Sequence, residues 1–88
     1  MEILFESRFQ KDLKKIKDKK IRQKAKEVIL QCKQAGQLNE INNLKKMQGY
    51  QTFYRIRLGD YRIGIELSEN TLIFTRFLHR KEIYRFFP

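Results

Sequence analysis

Tyr54-Arg55-Ile56-Arg57-Leu58-Gly59-Asp60-Tyr61-Arg62-Ile63-Gly64-Ile65-Glu66-Leu67 carries the clearest structural pattern in the chain. On either side of Gly59-Asp60, apolar residues alternate with charged or small ones, the period of a half-buried strand. A Gly-Asp pair between two such runs is a two-residue hairpin turn. Closing the hairpin there pairs Leu58 with Tyr61, Arg57 with Arg62, Ile56 with Ile63, and Arg55 with Gly64. One face is then apolar, and the other carries Arg55, Arg57 and Arg62. Like charges directly opposite each other destabilise a sheet, and a strand needs no arginine to form. The pattern therefore points to a ligand outside the fold. Gly64, with no side chain, is read as a backbone floor that such a ligand can approach.

Downstream, Glu69-Asn70 offers a second turn, and Thr71 to Leu78 is a third apolar strand rich in β-formers. A strict two-residue turn there sets Arg76 opposite Ile63 on the apolar face. A bulge, or escape of the guanidinium at the end of the sheet, is expected instead. Upstream, Met1 to Phe5 reads as a strand. Ser7 with Gln10 has the capping-box spacing, opening a helix to Ile16 through Phe9 and Leu13. Asp18 is placed to cap a second helix, on which Ile21, Ala25, Val28, Ile29 and Cys32 trace one apolar stripe. Gly36 is placed to end it. Gln37 to Gly49 is polar and irregular, anchored by Leu38, Ile41, Leu44 and Met47, with Leu44 to Met47 a further candidate strand. From His79 a short basic tail with room for one helical turn ends in Phe86-Phe87-Pro88. The order β-α-α-β-β-β gives an α+β, two-layer fold: a mainly antiparallel sheet with a two-helix layer on one face. Its expected core sets the two helical stripes against Ile56, Ile63 and Ile65.

Composition bounds the function. A chain of 88 residues is read as a single domain, 1–88, and its formal net charge of +10 points to a polyanionic partner, nucleic acid or an acidic protein. No long apolar run, signal-peptide pattern or lipidation motif suggests a membrane, so a cytoplasmic protein is expected. Cys32 alone cannot form an internal disulfide, and one Cys with one His argues against a zinc site. Except for Lys81, the lysines lie at or before Lys46, whereas the arginines other than Arg8 and Arg22 follow Tyr54. Lysine suits a solvated helix face, and direct contact with a polyanion is the alternative for those on the second helix. Arginine's rigid fork matches phosphate geometry. In the second half, the carboxylates Asp60, Glu66, Glu69 and Glu82 are too few to neutralise the arginines there.

His79-Arg80-Lys81-Glu82-Ile83-Tyr84-Arg85 adds chemistry to the charge. A free tyrosine, with a pKa near ~10, is a poor base at neutral pH, but close cations stabilise tyrosinate. Such a group can take the proton of a ribose 2′-hydroxyl, which then attacks the adjacent phosphorus while an arginine stabilises the developing charge. A tyrosine is also commonly an amphipathic lid, and a lone His79 a packed or capping residue.

These residues together resemble the RelE/ParE superfamily of bacterial toxins from toxin–antitoxin pairs. The resemblance runs over nearly the whole chain: the β-α-α opening, Leu44-Lys45-Lys46-Met47, the Tyr54–Ile63 hairpin and the His79–Tyr84 ending. It implies a RelE-like sheet with strand order 1-4-3-2, the first strand beside the last. It also implies a ribonuclease, without metal or cofactor, that cuts mRNA in the ribosomal A site and is neutralised by a cognate antitoxin. The implied partners are that antitoxin, the 70S ribosome and mRNA. In the nuclease branch, two alternating basic residues match Arg55 and Arg57, commonly lysines in that branch. The phosphate stabiliser matches Arg62, and the general acid or charge stabiliser is nearest to Arg80. The general base matches Tyr84, and His79 belongs to a His-Arg ending that other branches use in catalysis. Lys45, Lys46 and Arg85 complete the expected phosphate-binding set. ParE-like members share the fold but poison DNA gyrase, and an inactive member that binds only RNA or antitoxin is a third possibility.

Overall fold

The alternation around Gly59-Asp60 sets the central hairpin. In the computed structural model, which describes residues 1–88, β3 (Phe53–Leu58) and β4 (Tyr61–Ser68) pair in the register worked out from the sequence. Leu58 lies opposite Tyr61, Arg57 opposite Arg62, Ile56 opposite Ile63 and Arg55 opposite Gly64. Gly59 takes the turn's left-handed position, φ 59°, where a side chain is strained. The remaining strands are β1 (Glu2–Phe5), β2 (Leu44–Lys46) and β5 (Thr71–His79). The sheet order is β1-β5-β4-β3-β2, with β1 parallel to β5 and every other pair antiparallel. The first strand thus lies beside the last, as expected, and the candidate strand from Leu44 forms the far edge.

The bulge anticipated from Arg76 is present. The β4–β5 register shifts between Gly64 and Ile65, so Phe77 rather than Arg76 faces Ile63. Thr75 is the extra residue, and its hydroxyl donates to the Gly64 carbonyl at 2.9 Å. Arg76 falls opposite Gly64, but its guanidinium reaches Asp12 on the first helix, with Nε 2.7 Å and Nη2 3.2 Å from the carboxylate oxygens. The same carboxylate accepts the Phe77 amide at 3.0 Å. Asp12 therefore closes the stretch of β5 that β1 leaves unpaired.

Both helices lie on the apolar face. α1 (Ser7–Lys14) opens without the expected capping box: Glu6 is the N-cap residue, no side chain caps the turn, and Ser7 is already helical. The chain enters α1 directly from β1, and the Glu6 amide is taken by the Phe74 carbonyl at 2.9 Å. Strand pairing therefore sets this boundary. α2 (Lys19–Gln34) is capped as expected, with Asp18 accepting from the Lys20 and Ile21 amides. It ends at Ala35 in extended conformation rather than at a left-handed Gly36. The N-terminal ammonium donates to the carbonyls of Cys32, Lys33 and Ala35, replacing the glycine cap. Arg22 similarly serves the end of α1, donating to Leu13 and Ile16 carbonyls at 2.9 and 3.2 Å.

The principal core joins Phe9, Ala25 and Cys32 to Ile56, Leu58, Ile63, Ile65, Leu72, Phe74 and Phe77, with Leu13, Ile16, Ile21, Val28 and Ile29 half-buried against it. Each such large side chain contributes about 1.5–3 kcal/mol on full burial. The tail beyond His79 does more than expected. It forms α3 (Ile83–Phe86) and, with Phe87, builds a second cluster of Met47, Ile83 and Phe87 packed by Phe53 and Leu78. Phe53 and Leu78 project from the face opposite Ile56 and Phe77, so this small core covers part of the sheet away from α1 and α2.

Candidate active site

The pleat that buries Ile56 and Ile63 turns Arg55, Arg57 and Arg62 to the other face. β2 adds Lys45, directly opposite Arg55. Asn43, Leu44, Lys45, Arg55, Arg57 and Arg62 line a concavity of about 260 Å³. Asn43 occupies the left-handed region, φ 64°, and its carbonyl accepts the Arg57 amide at 3.1 Å, continuing the ladder beyond β2. Asparagine is one of the few residues to adopt this conformation routinely.

Arg62 is the centre of the arrangement. Its Nη1 donates to the carbonyls of Gly59 and Tyr61, both at 2.8 Å, which hold the guanidinium by the turn. Partial burial and then the nearby charges of Arg55, Arg57 and Arg80 press it below its ordinary value, while Tyr84 acts in the opposite sense. It stays cationic, because arginine starts so high. An anion brought against these guanidinium groups would relieve that electrostatic cost. Arg80 reaches this corner through the turn: its amide donates to the Asp60 carbonyl at 2.7 Å, and its Nε lies 3.7 Å from Asp60 Oδ1. That ion pair is exposed and weak, leaving the guanidinium free to meet a ligand.

Tyr84 stands on α3 with 65% of its surface exposed, and the Arg55 guanidinium carbon lies 5.8 Å from its ring centroid, within cation–π range. The structure thus gathers Arg55, Arg57, Arg62, Arg80, Lys45 and Tyr84. It does not gather His79, Lys46 or Arg85 with them. His79 lies opposite Tyr61, edge-on to its ring at 5.6 Å, and its Nδ1 accepts the Lys81 amide at 3.2 Å. This places it on the face of the sheet shared with the core. Lys46 lies opposite Tyr54, one residue out of phase with Lys45, and Arg85 stacks over Phe86 at 5.3 Å.

Gly64 departs from its sequence reading. The ring of Phe87 covers it, leaving no open backbone floor for a ligand. The second cluster was the part that strand periodicity missed, although the four-residue spacing of Ile83 and Phe87 is a helical signal. No group of His, Cys, Asp and Glu side chains is placed to hold a metal ion, and no helix is long and apolar enough to cross a membrane.

An exposed phenol among several arginines and a lysine, without a deep cavity, suits an extended polyanion rather than a small molecule. The family described as ParE toxin of type II toxin–antitoxin system, parDE, matches residues 3–84. Toxin RelE3 of Methanocaldococcus jannaschii is 47% identical over 89 residues, covering 100% of both chains. The chain belongs to the RelE/ParE superfamily of type II toxins. Within that superfamily it is a RelE-like toxin, and its α+β sheet matches the superfamily fold. The toxin in the RelB–RelE antitoxin–toxin complex from Methanococcus jannaschii superimposes with a TM-score of 0.80 at 46% identity, over 97% of this chain and 99% of that one. The YoeB dimer from Staphylococcus aureus shares the fold at 20% identity, with a TM-score of 0.72 over 90% of this chain and 95% of that one.

Proposed function

We propose that this RelE-like toxin is an endoribonuclease that cuts mRNA in the ribosomal A site and so inhibits translation. The observation that carries the reading is the convergence of Tyr84 with Arg55, Arg57, Arg62 and Arg80 on one sheet face. Arg55, Arg57 and Lys45 hold the RNA backbone through its phosphates. Acting as general base, Tyr84 takes the 2′-hydroxyl proton on its side-chain oxygen, and the 2′-oxygen forms a bond to the adjacent phosphorus. Arg62 stabilises the charge on the non-bridging oxygens. The bond from phosphorus to the 5′-oxygen breaks, Arg80 stabilises the charge on that leaving oxygen, and water gives it a proton. The products are a 2′,3′-cyclic phosphate and a 5′-hydroxyl.

Single-turnover cleavage of ribosome-bound mRNA tests this reading. Tyr84→Phe removes only an exposed phenolic oxygen and is expected to lower the rate by about 10²–10⁴-fold, the range for one general acid–base group. A folded Tyr84→Phe protein cutting at the wild-type rate would refute the tyrosine-base mechanism. His79→Gln in the same assay would then test the histidine of the same ending, which the fold sets on the other face of the sheet. The parDE description of the matching family favours a second reading, a DNA gyrase inhibitor. Inhibition of purified gyrase with no mRNA cleavage would select it.

A cognate antitoxin is the second proposed partner, supported by the RelB–RelE complex of the 46% identical relative. With a net charge of +10, association with an acidic or amphipathic antitoxin segment is expected to slow as salt rises. An association rate indifferent to ionic strength argues against charge steering.

A further inference from the structure

We propose that Gly64 and Phe87 form a positioning pair, the Phe87 ring seating on the bare Cα of Gly64 so that α3 holds Tyr84 against Arg55. A glycine inside a central strand weakens it and calls for a reason. A turn is not the reason, since Gly64 sits within β4 and outside the left-handed region. Close approach is. A Cβ at position 64 would lie 2.8 Å from Cγ, Cδ1 and Cδ2 of Phe87, a separation a methyl group cannot occupy against a ring.

The seat and the site share one cross-strand pair. Gly64, which receives Phe87, lies directly opposite Arg55, whose guanidinium meets the Tyr84 ring. Tyr84 lies on α3, and Phe87 is the extended residue that ends this helix, its amide donating to the Ile83 carbonyl at 2.8 Å. Seating the Phe87 ring therefore anchors the end of the helix that carries Tyr84. Phe53 braces the same ring edge-on at 5.6 Å. None of the buried residues of this cluster belongs to the principal core. The pair can thus be broken without dismantling the packing of α1 and α2 on the sheet.

The catalytic consequence rests on the reading of Tyr84 as the proton acceptor, and the structural consequence does not. Four variants test both: Gly64→Ala, Phe87→Ala, their double, and Phe87→Leu. In NMR spectra the Gly64 α-protons are expected to carry a ring-current shift that disappears in Phe87→Ala. The nuclear Overhauser contacts between Tyr84 and Arg55 are expected to weaken in Gly64→Ala and Phe87→Ala, while resonances of Ile56 and Ile63 stay near their wild-type positions. Cleavage falls in both single variants, and the double is no slower than the slower single, because the added methyl then has nothing to strike. Phe87→Leu recovers part of the rate. Tyr84→Phe, costing about 10²–10⁴-fold in the wild type, costs at least tenfold less in the Phe87→Ala background. Were it to cost the full factor there, or were the Tyr84–Arg55 contacts to persist in both single variants, the positioning role would be wrong. If Tyr84→Phe has no effect in the wild type, the tyrosine-base reading fails, and the NMR arm alone decides the pair.

Discussion

Arg57→Thr is expected to make the protein more stable and a weaker binder of RNA. Arg57 is exposed, directly opposite Arg62 and two residues from Arg55 on the same face. Two unit charges about 6 Å apart in water-like surroundings repel by about 0.7 kcal/mol. Removing one charge from two such neighbours, with partial screening, gains about 1 kcal/mol at low salt, at the upper end of the range for cross-strand pairs. Threonine is also a good strand residue. For a domain of this size the melting temperature should rise by roughly 4–8 °C. In ~1 M salt the Debye length shrinks to about 3 Å, shorter than the separation, and most of the gain should vanish. Urea and thermal unfolding at low and high salt measure both effects. RNA binding by the same variant should weaken, with the log–log salt slope reduced in magnitude by about 0.7, the loss of one single-strand phosphate contact. A variant less stable than wild type at low salt would show that the arginine pair serves the fold, and a gain unchanged by salt would show that charge repulsion is not its source. Either outcome would remove the reason to expect an anionic ligand on this face.

Asp12→Ala leaves Arg76 without its partner and the Phe77 amide without an acceptor, with side-chain exposures of only 18% for Arg76 and 8% for Asp12. A loss of about 3–5 kcal/mol is expected in urea titration, and adding Arg76→Met should restore part of it by removing the unpaired charge. Burial, against the lesser pull of the N-terminal ammonium, pushes the Cys32 thiol up to about 11. An unfolded chain releases that proton nearer ~8.5 while the folded one retains it. The stability so gained is complete below that lower value and lost as pH rises toward about 11, so Cys32→Ala should show a shallower alkaline decline in unfolding midpoint. Alkylation of native Cys32 at pH 8 should be slow until the protein unfolds. Lys19→Ala, on the solvated start of α2, should leave the single-turnover cleavage rate within about twofold of wild type, and a loss as large as that of Arg62→Ala would place the chemistry elsewhere.

The central hairpin, its register and the sides on which Ile56 and Arg57 fall follow from local chemistry alone: alternation sets the face, and Gly59-Asp60 sets the pairing. The stripe on α2 and its Asp18 cap are equally local, since both rest on spacings within a few turns. An arginine on a core face leaves two ways out, a bulge or escape at the end of the sheet, and only the tertiary structure selects the bulge. What satisfies the start of α1 and the C-terminal ends of α1 and α2 is not legible, because Phe74, Arg22 and the N-terminal ammonium act from a distance in sequence. His79 was grouped with Arg80 and Tyr84 because they are neighbours in the chain. Strand pairing with Tyr61 turns it to the other side. Gly64 was read as open for the same reason: sequence records that a side chain is missing, but only the return of the chain through α3 shows that Phe87 fills the space. Periodicity determines which residues share a face, and long-range packing decides what comes to rest on it.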